Sequence, residues 1–398
     1  MNKSNHFTGQ PVFGQLLRFL PKDIVTSVAQ ENNSDHYCKG FDTWTHLVTL
    51  LFSCYGNCTS LREVTSGMRA LEGKLQFAGL KKFPARSTLS DANSRRSEIV
   101  FEQIFYRLLA YWEPFLSDSS SKTRIKIFDS TSISLFKEIF KGSGMSKQNG
   151  KRKGGLKVHV TMNDGSVTPS SIMFTDGARN DLVLLPYINE QPEDILVFDR
   201  GYRSYSSYKK WTVKGTLFVT RFHDNTYILD SENQGVDDQQ MEAGIISDQF
   251  VRIGHPAKKN TKIQARLVQY KDPKTGKHFC LLTNHYNASA ITIAQLYKKR
   301  WQIELLFKRL KQNMPLSYFL GDNQNAIKIQ IWCAFIADML LQLVKANVKR
   351  KWAFSNIVNV VRLHLFNYMD LINFLEFPDK CKIQILPQND QLLLNLSG

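Results

Sequence analysis

Ile195-Leu-Val-Phe-Asp199 is the stretch that decides how this chain folds. Four apolar residues in a row, closed by an acid, read as a strand buried on both faces with a carboxylate at its end. Arg124-Ile-Lys-Ile-Phe-Asp129 carries the same Phe-Asp ending on an alternating strand. Between them, Leu156-Lys-Val-His-Val-Thr-Met162 alternates strictly and Ser170-Ser-Ile-Met-Phe174 predicts a further strand. His159, inside that alternation, reads as a packed core residue. Side chains at strand ends of an α/β sheet face the crevice where ligands bind. Aspartate also opens turns, and either acid alone would suit that plainer role; two identical endings suit it less well.

Working outward, shorter strand patterns fill the region from about 215 to 288: Thr216 to Val219, Thr226 to Leu229, Phe250 to Ile253, Ile263 to Val268 and Phe279 to Leu282. Helical periodicity returns near 289 and dominates from there on. On the other side, Phe101, Ile104, Phe105, Leu108, Leu109 and Trp112 recur at helical spacing. A shorter helical pattern runs from Ser60 to Met68, and Ser87, after Pro84, is a candidate N-cap for a helix that ends in Arg95 and Arg96. Those two short helices fit a helix-turn-helix with Arg95 and Arg96 entering a DNA groove. They fit equally a plain bundle with an arginine-tipped surface helix. Ser117 to Lys122 reads as a linker. The expected organisation is a helical domain over 1–118, an α/β domain over 119–345 interrupted by a β-rich insertion at about 215–288, and a helical region over 346–398.

Across 398 residues, 52 Lys and Arg stand against 35 Asp and Glu, a net charge of +17. A surplus of that size attracts polyanions, nucleic acid foremost, although it also serves solubility. Six scattered cysteines without a C-x-x-C pair argue against a zinc ribbon and against a disulfide framework. The polar start Met1 to Gln10 does not resemble a signal peptide. Ile329 to Val344, the longest apolar stretch, is interrupted by Gln330, Asp338 and Gln342 and reads as too short and too polar to span a bilayer. Neither a Walker-type loop nor a dinucleotide fingerprint occurs, so no nucleotide cofactor is expected.

Tyr297-Lys-Lys-Arg-Trp-Gln-Ile-Glu-Leu-Leu-Phe-Lys-Arg-Leu-Lys311 is the most specific stretch. On one continuous helix, Tyr297, Arg300, Glu304, Lys308 and Lys311 would share an arc of roughly 80°. Leu296, Ile303, Leu306, Phe307 and Leu310 would form a core-facing stripe on another side. A carboxylate set among cations and a phenol suits a metal ligand beside phosphate-binding groups. A solvated face with Arg300–Glu304 and Glu304–Lys308 pairs fits the geometry as well. If Asp129, Asp199 and Glu304 converge, their oxygens suit Mg²⁺, with Mn²⁺ able to substitute, clamping the oxygens of an in-line phosphoryl displacement.

The spacing Tyr-x2-Arg-x3-Glu-x6-Lys, met by Tyr297, Arg300, Glu304 and Lys311, resembles the signature of the insertion sequence 4 family of bacterial DDE transposases. Phe198-Asp-Arg-Gly-Tyr202 resembles that family's second-aspartate motif and Phe128-Asp-Ser-Thr131 its first. The resemblance implies a ribonuclease-H-like catalytic core interrupted by a β-rich insertion, with Asp129, Asp199 and Glu304 as its metal-holding triad. It implies DNA phosphates held by Tyr297, Arg300 and Lys311, and cut-and-paste transposition through a hairpin intermediate. It further implies a homodimer that pairs two ends in a synaptic complex. The partners would be double-stranded DNA, as terminal inverted repeats and as target, and the compartment the bacterial cytoplasm. Rival readings are a nuclease or resolvase on the same core without strand transfer, and a DNA-binding protein that has lost catalysis.

Lys147-Gln-Asn-Gly-Lys-Arg-Lys-Gly-Gly-Leu-Lys157 packs five basic residues and three glycines before a strand. It suits a flexible arm in which Lys151, Arg152 and Lys153 follow a DNA backbone. Trp211 and Trp301 are assigned to core or surface packing ahead of stacking on an exposed base.

Overall fold

The computed structural model describes residues 9–70, 73–116, 124–134, 147–148, 151–152, 155–258 and 261–380. The head holds helices α1 (Val12–Leu17), α2 (Lys22–Glu31), α3 (Thr43–Tyr55), α4 (Leu61–Arg69), α5 (Arg86–Arg95) and α6 (Glu98–Leu116). Next come β1 (Ile125–Ser134), the short β2 (Lys147–Gln148) and β3 (Lys151–Arg152), β4 (Gly155–Asn163), β5 (Ser171–Asp176) and β6 (Ile195–Phe198). They are followed by α7 (Tyr205–Lys214), β7 (Leu217–Arg221), β8 (Ile228–Asn233), α8 (Asp238–Glu242), β9 (Ile245–Ile253), β10 (Ile263–Lys271) and β11 (His278–Thr283). The remainder is helical: α9 (Ala290–Lys298), α10 (Trp301–Asn313), α11 (Gln324–Ala346), α12 (Phe354–Leu363) and α13 (Leu371–Glu376).

Nine of the described strands join in one sheet, ordered β5-β4-β1-β6-β7-β11-β10-β9-β8. The β5, β4 and β1 neighbours are antiparallel, whereas β1–β6 and β6–β7 are parallel. Parallel neighbours need a crossover, and α7 supplies it between β6 and β7. Residues 215–288 do not form a body apart from this sheet. Their first strand, β7, belongs to the parallel half, and β8 to β11 extend the same sheet as antiparallel strands. The basic stretch starting at Lys147 contains a small hairpin that pairs Lys147 with Arg152 and Gln148 with Lys151, where a flexible arm was expected.

The period-2 alternation of strands assigns each residue to a face. Ile125, Ile127, Val197 and Val219 enter the larger apolar cluster together with residues of α6, α10 and α11. Phe128, Leu196, Phe198 and Phe218 enter the cluster on the opposite face, with Tyr202, Tyr208 and Trp211. The larger cluster is continuous from Val12 in α1 to Leu375 in α13, so head, sheet and tail share one core. Tyr106 on α6 seals the β5 edge: its hydroxyl accepts from Ile172 N at 2.8 Å. Edge strands left open invite further pairing.

The apolar stretch anticipated over 329–344 lies within the 23-residue α11, which is long and apolar enough to cross a bilayer, but 94% of its most apolar part is buried inside the protein. Length therefore does not exclude a span, contrary to the sequence-based argument; burial in the protein's own core accounts for the helix. The N-cap assignment at Ser87 also changes. Extended backbone at Ala85, behind the buried Pro84, starts α5 at Arg86 without a side-chain cap. The described cysteines Cys38, Cys54, Cys58, Cys280 and Cys333 are free thiols; Cys381 and the linker residues Ser117 to Lys122 lie outside the described residues.

Candidate active site

Phe128 pairs with Phe198 in the parallel register of β1 and β6, which brings Asp129 and Asp199 side by side one residue further on. Alternation then turns both carboxylates to the face that carries α9 and α10, while the two phenylalanines stack beneath at 4.8 Å between ring centroids. Tyr202 meets Phe128 edge-on at 5.0 Å and fixes the floor. Asp199 leaves the sheet into a 3₁₀ turn over Arg200–Tyr202. Asp129 does not end its strand, as its sequence suggested. The antiparallel partner β4 continues past it, pairing Asp129 with Val160 and β1 as far as Ser134. Asp129 sits where β6 departs, which opens the crevice beside it.

The signature stretch is two helices and not one. Lys299 N donates to Leu296 O and Arg300 N to Tyr297 O, both at 3.1 Å, and Ile303 N donates to Arg300 O at 3.2 Å. These i→i−3 bonds make a tight turn between α9 and α10, so the single 80° arc does not exist. The turn nevertheless gathers the expected residues. Tyr297, buried at the end of α9, donates from its hydroxyl to Asp199 Oδ1 at 3.2 Å. Arg300 reaches Asp129 Oδ2 with Nη1 at 3.3 Å and Glu304 Oε1 with Nη2 at 2.5 Å. Its guanidinium also lies over the Tyr297 ring, 5.5 Å from the centroid. Leu296, Ile303, Leu306, Phe307 and Leu310 are all buried, which anchors both helices.

Three carboxylates thus meet around one phenol and one guanidinium. Burial pushes the Asp129 carboxyl up to about 6, with Asp199 and Glu304 adding to the rise and the Ser130 amide and Arg300 opposing it. The negative charge is incompletely compensated, and the donors are oxygens only. Both features fit a hard divalent cation. Among the described residues no three candidate ligands stand at metal-holding distance; Arg300 lies between Asp129 and Glu304, where its guanidinium takes the part of a cation.

A fourth acid, Asp181, escaped the sequence reading. Its Oδ1 accepts from Ser130 Oγ at 2.7 Å and Lys157 Nζ at 3.0 Å, which ties it to the residue after Asp129. A Cβ on Gly201 would come within 3.3 Å of Asp181 Oδ2, so the glycine of Asp199-Arg-Gly-Tyr202 keeps this approach open. Asp181 opens the 3₁₀ turn that follows β5 and belongs to no strand pattern, and only the folded geometry reveals it.

The transposase DDE domain family matches residues 120–340, more than half of the chain, and a domain family of unknown function (DUF4372) matches 8–81. A Sinorhizobium fredii protein described as transposase y4zB is 32% identical over 261 residues, covering 65% of this chain and 71% of its own length. A Synechocystis protein described as the transposase for insertion sequence element IS4SA is 28% identical over 294 residues, covering 71% and 78%. The chain belongs to the DDE transposases of the insertion sequence 4 type. The piggyBac transposase in its synaptic complex with hairpin DNA superposes on 94% of this chain and 79% of its own, at TM-score 0.38 and 11% identity. That value is too low to support an argument.

In this transposase the polar residues that interrupt α11 hold the Glu304 helix in place. Asp338 takes Arg309 Nε and Nη2 on its two oxygens, each at 2.7 Å, and Arg309 Nη2 also reaches Val167 O at 2.7 Å. Gln330 donates to Pro315 O and Tyr318 O and accepts from Leu320 N, which fixes the segment after α10. The ion pair between Arg266 and Asp248, at 2.6 Å, anchors the entry to α9 instead, because Arg266 Nη1 also donates to the carbonyls of His285, Tyr286 and Ala288.

The remaining basic residues singled out from the sequence fall in different places. Lys308 and Lys311 are exposed on α10, and partial burial lowers the Lys311 ammonium. Lys151 and Arg152 form β3, and Lys153 lies outside the described residues. Arg95 is exposed and paired with Asp91 at 2.7 Å. Arg96 does not face outward as anticipated. It is buried, with Nε on Ser34 Oγ, Nη1 on His46 Nδ1 and Nη2 on Asp35 Oδ1 and Phe41 O. Burial, with Arg96 adding, lowers His46 to about 3, so the ring stays neutral and accepts from Arg96. Trp211 is buried in the core, and Trp301 lies at the surface, 57% exposed beside Arg300. His159 is buried, with Nε2 2.8 Å from Thr175 Oγ1.

Proposed function

We propose that this transposase moves its element by cut and paste, cleaving both strands at each element end and joining the freed 3′-hydroxyls to target DNA. One observation carries the reading: Asp129, Asp199 and Glu304, from three separate elements, converge around Arg300 and Tyr297. The antiparallel β5-β4-β1 strands followed by parallel β6 and β7, with acids on the two central strands, support a ribonuclease-H-like core. The division into a helical DNA-end-binding head over 1–118, a catalytic domain over 119–345 and a dimerisation region over 346–398 belongs to the same reading.

Asp129, Asp199 and Glu304 would hold two Mg²⁺ ions, or Mn²⁺ in their place. Cations so placed polarise the scissile phosphate and lower the pKa of the attacking oxygen. Tyr297 orients Asp199 by its hydrogen bond. Arg300, freed from the carboxylates, is positioned to take a phosphate oxygen, and Lys308 and Lys311 extend that cationic edge along α10. In the first step a water oxygen bonds to phosphorus and the element's 3′ oxygen leaves, gaining a proton. In strand transfer the 3′-hydroxyl oxygen bonds to a target phosphorus and gives up its proton, while the target's own 3′ oxygen leaves and takes one up. Before strand transfer the freed 3′ oxygen attacks the opposite strand, whose flanking 3′ oxygen leaves and is protonated, and a second water opens the resulting hairpin to restore the 3′-hydroxyl; a homodimeric synaptic complex and residence in the bacterial cytoplasm complete the proposal. Strand transfer with pre-cleaved ends in Mg²⁺ tests it. Joined products support the reading; cleavage of intact ends without any joining would favour a nuclease and overturn it.

A further inference from the structure

We infer that the groove between residues 34–41 and α5 is a binding site for an unpaired DNA strand, with phosphates on Lys39, Lys82 and Arg95 and a base against Tyr37. The inference rests on the transposase reading and gives the head, whose residues 8–81 match a domain family of unknown function, a defined task. The groove has a volume of about 670 Å³ and lies well away from the carboxylate site in the chain. Its lining is cationic: Lys39, Lys82, Arg95 and Arg96 against Asp91, which is already paired with Arg95. Arg96 is committed to protein partners and staples the 34–41 segment to α5, so the wall is preformed. Lys82 folds over the Gly40 backbone, where a Cβ would meet its Nζ at 3.0 Å.

Tyr37 gives the groove its second chemistry. It is 91% exposed, and its φ of 60° is left-handed, a conformation that is unfavourable for a tyrosine. Held strain without a packing return is a mark of a functional position. The His36 ring lies tilted against it, 3.8 Å between ring centroids and 48° between planes, which adds a second ring beside the cations. Exposed rings interleaved with cations suit single strands, whose bases offer open faces, better than a stacked duplex. The site is coupled to the rest of the protein. Asn325 at the start of α11 donates to Asn93 O and Arg96 O, and Asn93 donates to Leu320 O in the segment following α10.

Fluorescence anisotropy with a labelled single-stranded oligonucleotide, on the full chain in EDTA, tests the inference independently of catalysis. Lys39→Gln with Lys82→Gln should lower the salt slope of single-strand binding by about 1.4. Tyr37→Ala should weaken single-strand binding about tenfold or more while leaving duplex binding unchanged. The control Lys345→Gln with Lys349→Gln, at and just beyond the far end of α11, roughly 34 Å from its start, should change neither. Unfolding curves matched to the parent exclude misfolding, and Lys39→Arg with Lys82→Arg should restore the slope. An unchanged slope overturns the site, and charge-variant losses with Tyr37→Ala inert overturn the single-strand assignment. Cleavage by pre-formed complexes, which depends on Glu304, should survive in the groove variants, so failure here is distinct from failure of the transposase reading.

Discussion

Asp129 is a charge the fold tolerates rather than favours, which makes Asp129→Asn a stabilising substitution in the metal-free protein. Burial raises its carboxyl from 3.8 to about 6. A folded pKa above the unfolded one means that the protonated form is favoured on folding. Its stabilising contribution is full below pH 3.8 and lost as pH rises through 6. Two units correspond to about 3 kcal/mol at pH 8, and linkage leaves about half of that at pH 5. Asparagine imitates the neutral acid and keeps an oxygen for the Ser130 amide, which now donates at 2.8 Å. For a chain of 398 residues, an unfolding entropy near 0.8 kcal/mol/K converts 3 kcal/mol into a rise in Tm of about 4 °C. Thermal unfolding in EDTA should show that rise at pH 8 and about 2 °C at pH 5. Adding Mg²⁺ should stabilise the parent and not the variant. An equal or lower Tm at pH 8 would mean that Arg300 compensates Asp129 fully, and the case for an under-compensated cation site would be lost.

Four further outcomes follow from other contacts. Asp338→Ala leaves Arg309 facing a buried space and should destabilise by about 3–5 kcal/mol, read as a Tm loss of about 4–6 °C. Arg96→Ala unpairs Asp35 and the neutral His46 and should lower stability by about 2–4 kcal/mol; a surface role in DNA contact would instead change binding and leave Tm intact. Asp248→Asn weakens the buried anchor of α9, and cleavage should fall along with Tm; activity unchanged beside a lowered Tm would detach this anchor from Tyr297. Lys311→Ala should reduce the salt slope of DNA binding by about one; an unchanged slope would remove Lys311 from the phosphate contacts.

The strands were legible because their alternation and their glycine or polar boundaries are local properties. Each of the patterns from Arg124 to Leu282 overlaps a strand, although Thr226 to Leu229 does so only in its last two residues, since β8 starts at Ile228. What local pattern could not supply was partnership. β7 looks like the first strand of an insertion, yet it pairs with β6 in parallel, and pairing is decided by the crossover through α7. The same limit applies to the carboxylates. Two Phe-Asp endings placed Asp129 and Asp199 on one sheet face, and the Tyr-Arg-Glu spacing placed Glu304 nearby even though the assumed continuous helix breaks at Lys299 and Arg300. Asp181 carries no periodic signal and comes to the site only because Ser130, Lys157 and Gly201 leave room for it. Arg96 shows the opposite error: it follows Arg95 in sequence, but the turn after α5 sends one side chain out and the other inward. Gln330 and Asp338 argued against a membrane span on polarity alone, and their purpose emerges from their partners on α10 and after it.

The central claim is that Asp129, Asp199 and Glu304 act as one catalytic set. Single-turnover cleavage of an element end in Mg²⁺ by Glu304→Gln, with DNA binding followed in the same samples, tests it most directly. The account predicts a rate loss of roughly three orders of magnitude or more with end binding largely intact. Cleavage at the parent rate would remove Glu304 from the site and contradict the account.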